Sequence, residues 1–219
     1  MIVTISRQLG SGGDEIAARL AAALDLALVD RDRIHAAARG AGAPEALLAK
    51  LMYEGQRSLA GDILDSLENT SSSLPGRPAL VQSPLGGIYA PIMLPTSMSL
   101  GDVIQVIGLV IKDIASRDRV LILGQGGQVW LRDYRGACHI QIVAPLKARI
   151  ERVSARDGVS QSVARKIVRT SDQARSEYLA RYHGVNWLDP LLYHVVINTG
   201  QTTPEAAVSL IAHAAQVVG

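Results

Sequence analysis

Residues 5–17 read ISRQLGSGGDEIA. Gly10, Gly12 and Gly13 can take backbone conformations closed to other residues and so bring N–H groups close to a bound anion. A helix starting directly behind them adds its positive end to the same field. The stretch is therefore laid out as a phosphate cradle made of main chain, with Ser11 and Asp14 inside it. It carries no lysine, the side chain that a nucleoside triphosphate loop usually supplies. Arg7, just ahead of the turn, is the candidate replacement, because a guanidinium can meet two phosphate oxygens at once. The competing use of Arg7 is a plain surface pair with Asp14 or Asp30. Asp14 would be repelled by phosphates unless Mg²⁺ lay between them, so it either supports the metal or points away as a helix N-terminal acid; the second is preferred.

Two other loop patterns use the same glycines. In a G-x-G-x-x-G dinucleotide turn, Gly10 and Gly12 fit, Glu15 takes the third glycine position, and Asp30, about 20 residues on, stands where a ribose-binding acid would. In G-x-x-x-x-G-K-[ST], the lysine and hydroxyl positions fall on Gly13 and Asp14. Neither pattern is complete.

Phosphoryl transfer asks for charge neutralisation more than covalent chemistry. Residues 147–182 are rich in Arg and Lys. Arg149, Arg152 and Arg156 fall at three- and four-residue spacing and share a helical face. Arg169, Asp172 and Arg175 do the same, which lets Asp172 hold an arginine for phosphate. A solvated face with salt bridges is the structural alternative. Tyr178, Tyr182 and Trp187 can stack on a base or pack this segment on the core. The five histidines have no metal-ligand spacing, no Cys/His cluster exists and no nucleophile–base set is visible. No metal site is predicted.

Several elements must position these groups. Apolar, β-branched runs at 2–6, 26–30, 119–124, 139–144 and 194–198 read as strands covered on both faces, the mark of a parallel sheet. Helices alternate with them: one from near Gly13 with Ile16, Leu20 and Leu24 on a stripe, one over 100–116 capped near Ser99 and Asp102, one after Pro145 and one after Pro204. The layering is α/β. Residues 36–99 are less regular, helical at first and then a long loop or mobile lobe.

The 219 residues most naturally make one domain. A formal net charge of +2 does not imply a strongly basic surface, so no nucleic-acid partner is expected. The single cysteine, Cys138, excludes an internal disulfide and fits a reducing compartment. The start of the chain shows no secretory pattern, and the apolar run 103–111 falls short of the roughly 20 residues of a spanning helix. A soluble, cytoplasmic protein is expected, with no membrane partner and with a homodimer open.

The chain resembles the cytidylate kinase-like family, relatives of nucleoside monophosphate kinases. The resemblance lies in ISRQLGSGGDEIA, LVDRDRI, LILGQGGQVWLRD, APLKARIERV and RTSDQARSEYLARYHGVNWLDPLLYHVVINT, nearly the whole chain outside about 45–99. It implies a three-layer P-loop fold with a five-stranded parallel sheet. The core would be about 1–35, 100–146 and 191–219, with an acceptor-binding insert at about 36–99 and an arginine-rich lid at about 147–190. It also implies ATP and Mg²⁺, with the γ-phosphoryl group passing to a small acceptor, CMP or dCMP first. By this resemblance Gly10, Ser11, Gly12, Gly13, Asp14, Arg152 and Arg156 hold the ATP phosphates, and Arg7, Arg169, Asp172 and Arg175 serve transfer. Asp30, Arg31, Gln125 and Arg132 border the acceptor. Gln125 departs from the family's usual Gly-Arg-Gly, which removes a charge from the acceptor side; Arg132 is the candidate substitute. Leu188 and His194 stand where the family tends toward acids, while Trp187, Asp189 and Pro190 are retained. The missing lysine, Gln125 and Asp14 keep a second reading open, a nucleotide-binding regulator of the same fold that has lost turnover.

Overall fold

The computed structural model describes residues 1–53 and 98–218. Five strands, β1 (Ile2–Arg7), β2 (Ala27–Val29), β3 (Val120–Leu123), β4 (Ala137–Val143) and β5 (Val195–Asn198), form one sheet in the order β2-β3-β1-β4-β5. Every pairing is parallel, with Ile2 opposite Val120 on one side and Ala137 on the other. The strand runs expected from the sequence are all present. Strand β1 is central, which is why Ile2 to Ser6 are all buried.

The helices cover both faces. On one, α1 (Gly13–Leu24) and α8 (Pro204–Val218) pack Ile16, Leu20, Ala207 and Ile211 against Val3, Ile5, Leu121 and Ile140. Each fully buried Leu or Ile contributes about 1.5–3 kcal/mol, so a four-residue apolar stripe is enough to seat a helix. The other face carries α2 (Arg31–Gly40), α3 (Glu45–Tyr53), α4 (Leu100–Ser116) and the short α5 (Gly127–Trp130). Helix α4 starts at a capping box: Ser99 accepts from the Asp102 N–H, and Asp102 accepts from the Ser99 N–H. Those bonds hold the Asp102 carboxyl below its ordinary pKa. Ala37, Ala38, Ala41, Ala43 and Leu48 belong to this core, so the chain is packed as far as α3; residues 54–97 of the expected insert lie outside the described residues.

The arginine-rich region is two helices, α6 (Leu146–Asp157) and α7 (Gln161–His183), which meet through Ile150, Val153, Ala164 and Val168. Cys138 is buried in β4, which raises its thiol pKa to about 11.

Candidate active site

The glycine loop lies at the carboxyl end of the central strand. After Arg7 the chain is stitched to β4: the Gln8 N–H donates to Ile142 O at 3.0 Å, and Gln8 Oε1 accepts from the Ala144 N–H at 3.0 Å. The Ser11 N–H then closes a turn onto Gln8 O at 3.1 Å. Gly10 takes φ +79°, and a Cβ there would stand 2.6 Å from Arg149 O, so the close approach of α6 requires glycine.

Gly12 caps α1 without any side-chain hydrogen bond. The N–H groups of Gly13, Asp14 and Glu15 have no carbonyl one turn earlier to meet. The Ser11 hydroxyl is fully buried and has no partner. Buried polar atoms without partners are rare in folded proteins. Free amides, an orphaned hydroxyl and open space around Gly12 make an arrangement that fits polyphosphate oxygens.

Arg7 threads between two loops. A Cβ on Gly13 would lie 2.5 Å from Arg7 Cβ, and one on Gly124, past the end of β3, would lie 2.6 Å from Arg7 Nη1. Its Nε and Nη2 donate to one oxygen of Asp14 at 3.0 and 2.8 Å. Both readings of the two residues thus meet in one contact: Asp14 is an exposed first-turn acid, and it holds Arg7. Arg175 donates to the Arg7 carbonyl and lies 5.1 Å over the Trp187 ring. Burial, then the nearby Arg7 charge, lower its pKa to about 10, so it stays cationic at neutral pH.

Asp172 holds an arginine, but a different one from its neighbours on the helical face. It accepts from Arg149 at 2.8 Å, and Arg149 also donates to Ala144 O at 3.1 Å. This pair clamps α7 onto α6. Arg169 is exposed and has no ion pair among the described residues. Arg152 turns to the back of the loop, donating to Gly10 O at 3.2 Å, Thr199 Oγ1 at 3.0 Å and Thr199 O at 3.0 Å. Thr199, which sequence reasoning passed over, donates to Ser11 O at 2.6 Å. Tying the loop carbonyls behind leaves its amides turned forward. The only trace of this in sequence is a hydroxyl placed directly after the last strand. Arg156 pairs with Asp157 at 2.6 Å, with the Asp14 charge close enough to favour its cationic form.

On the β2 and β3 side, Asp30 caps α2 by accepting from the Arg33 N–H at 3.0 Å, and Arg31 is exposed near Asp32. Gln125 is half-buried in the loop after β3, and Arg132 is exposed beyond α5. The structure therefore gathers Arg7, the glycine loop, Asp14, Arg175 and the Gly124 turn; among the described residues no hydrogen bond or ion pair joins Arg31, Arg132 or Arg169 to that group. No cluster of three metal-ligating side chains occurs among the described residues. No described helix is long and apolar enough to cross a membrane. A cavity of about 440 Å³ between Met1, Asp118, Tyr134 and Arg135 lies at the opposite ends of the strands and shares no residue with these loops.

A parallel sheet in the order 2-3-1-4-5, with a glycine loop between its central strand and the next helix, defines a P-loop-type α/β fold built for phosphate. Residues 2–201 match the cytidylate kinase-like family, and the chain belongs to it. It is 32% identical over 100 residues to a cytidylate kinase from Sulfolobus acidocaldarius, covering 46% of this chain and 54% of that one. It is 36% identical over 73 residues to a cytidylate kinase from Pyrococcus horikoshii, covering 33% and 38%. A uronate isomerase from Corynebacterium glutamicum is 34% identical over 97 residues, covering 44% of this chain but 19% of that protein. The chain thus spans about half or less of the curated relatives it matches here. Among solved structures, an uncharacterized protein from Eubacterium ventriosum superposes with a TM-score of 0.68 at 18% identity, over 99% of this chain and 98% of that one. TT1252 from Thermus thermophilus gives 0.50 at 21% identity, over 100% and 98%. These likenesses concern the fold.

Proposed function

We propose that the chain is an ATP-dependent phosphotransferase of the nucleoside monophosphate kinase kind, with CMP or dCMP as first acceptor. The observation that carries this reading is the Arg7 guanidinium lying between the glycine loop and the Gly124 turn, with Arg175 bonded to its carbonyl.

In the reaction the acceptor's phosphate oxygen forms a bond to the γ-phosphorus as the bond to the β,γ-bridging oxygen breaks, and ADP takes up that electron pair. An anionic oxygen attacks, so no general base is needed. The free amides of Gly13, Asp14 and Glu15 and the Ser11 hydroxyl hold the donor phosphates. Arg7 leaves Asp14 for the transferred group's oxygens, where a planar fork can take two at once. Arg175 sits in low dielectric beside it, where its charge acts more strongly than in water. Arg152 and Thr199 keep the loop shaped, and the Arg149–Asp172 clamp sets the height of α7. Mg²⁺, when bound, would neutralise phosphate oxygens, and the Ser11 hydroxyl and Asp14 carboxylate are the loop oxygens that would hold it.

The second reading, a nucleotide-binding regulator without turnover, is favoured by one observation: the Arg7 guanidinium between the glycine loop and the Gly124 turn is already engaged by Asp14. Phosphorus NMR of the protein with Mg-ATP and each nucleoside monophosphate separates the two. A new diphosphate with the wild type, absent with Arg175→Ala, supports the kinase. ATP bound with no transfer to any of them supports the regulator.

A further inference from the structure

Arg175 is held differently from the arginines around it. Arg7 faces Asp14, Arg149 faces Asp172 and Arg156 faces Asp157. Arg175 has no ion pair among the described residues. It donates to the Arg7 carbonyl, and its guanidinium lies 5.1 Å over the ring of Trp187. The Asp172 and Asp14 carboxylates favour its charge from further off, while burial and the Arg7 charge oppose it.

Trp187 is itself fixed from beneath. Gly184 takes φ +64° and ends α7, and Trp187 in the segment that follows is buried. Its carbonyl accepts two hydrogen bonds, from Gln141 Nε2 on β4 at 2.8 Å and from the Tyr193 hydroxyl at 2.7 Å. The same hydroxyl accepts from Gln128 Nε2 on α5 at 3.4 Å, and Ser6 on β1 is close enough to bond it as well. Burial raises the Tyr193 pKa, so the proton given to the Trp187 carbonyl stays on the phenol. Ser6, Gln128 and Gln141 are all buried. Linked polar groups in a buried network hold one another in one arrangement. This network ties β1, β4 and α5 to a single tryptophan.

A carboxylate fixes a guanidinium by cancelling its charge. An aromatic face fixes it through the ring quadrupole and leaves the net charge whole. We infer that Trp187 is a positioning residue that keeps Arg175 beside the glycine loop with its charge uncancelled, and that Tyr193 and Gln141 set the height of the ring. Trp187 touches no substrate in this scheme and acts only through Arg175. The inference rests on the kinase reading for the identity of the anion that receives this charge, a phosphate chain in the loop.

The test is a double-mutant cycle on the full chain, read by calorimetry with tripolyphosphate in Mg²⁺-free, low-salt buffer. Trp187→Leu should weaken binding roughly fivefold when Arg175 is present, and less than about twofold when Arg175→Ala has already been made. Trp187→Phe restores a ring face and should bind within about twofold of the wild type. Should Trp187→Leu fail to fold, Tyr193→Phe carries the same cycle, because it keeps the ring and frees its carbonyl. Equal losses with and without Arg175, no loss in either background, or no rescue by phenylalanine overturns the inference and leaves Trp187 a packing residue. The cycle needs no turnover, so a coupled loss without any new diphosphate in the phosphorus NMR assay above counts against the kinase reading alone.

Discussion

The Arg7 guanidinium gives two hydrogen bonds to a single carboxylate oxygen of Asp14, at 3.0 and 2.8 Å, across the mouth of the glycine loop. The guanidinium set between the glycine loop and the Gly124 turn is thus held by an acid in the first turn of α1. A phosphate that takes the Nε and Nη2 donors of Arg7 must displace that acid.

Because Asp14 is 62% exposed, the pair is weak, about 0.2–1 kcal/mol. Asp14→Asn should therefore tighten tripolyphosphate binding roughly two- to fivefold in Mg²⁺-free, low-salt calorimetry. Relief of charge repulsion alone would give the same gain in an Arg7→Ala background. A larger gain with Arg7 present is the expected result; equal gains would remove Asp14 as its competitor.

Gly108 lies inside α4, where alanine normally adds about 1 kcal/mol of helix stability. Here a Cβ would stand 2.5–2.6 Å from three Trp130 ring atoms. Overpacking of that kind costs about 1–3 kcal/mol. Gly108→Ala should lower the thermal midpoint, and a raised midpoint would mean that the Trp130 ring does not rest on α4.

Arg149 is 5% exposed, and its charge is matched by Asp172. Removing Arg149 strands the quarter-exposed Asp172 carboxylate, at about 1–3 kcal/mol. Arg149→Ala should lose stability on that scale in urea unfolding, whereas Arg169→Ala, exposed on the same helix as Asp172, should stay within about 0.5 kcal/mol. Similar losses from both would contradict the clamp.

His139 is buried in β4, bonded to Thr4 Oγ1 at 2.8 Å and to Leu131 O at 3.2 Å. Burial, then His194, lower its pKa from 6.5 to about 4. The unfolded chain binds this proton more readily, so the stability it adds is present above the unfolded pKa and is lost as pH falls toward about 4. The loss amounts to about 3 kcal/mol. His35 and His183 shift in the same direction and add to it. Urea midpoints at pH 7 and pH 4.5 should differ more in the wild type than in His139→Gln, and equal differences would rule His139 out as a cause.

Much of this protein could be read from residue order, because local physics decides it. Unbroken apolar runs announce strands with both faces covered, and the four-residue stripe of Ile16, Leu20 and Leu24 places α1 directly behind the glycines. Those two facts together put a glycine turn at a strand end. The capping box at Ser99 and Asp102 is likewise a signal spanning four residues. The run of arginines announces charge for phosphate, but not which of them would carry it.

That choice belongs to contacts between residues far apart in the chain. Asp172 was predicted to steady an arginine on its own helix face, and α6 brings it Arg149 instead, because packing Ile150 and Val153 on Ala164 and Val168 aligns the two helices. Arg152 shares a helical face with Arg149 and Arg156, yet it braces the loop from behind, since Thr199 reaches the same spot from the far end of the sheet. Helical spacing fixes which side chains point together but not what faces them. Which arginine is buried as a clamp, which braces the loop and which stands between the glycine loop and the Gly124 turn depends on how the strands are ordered, and that order is settled only when both faces of the sheet close.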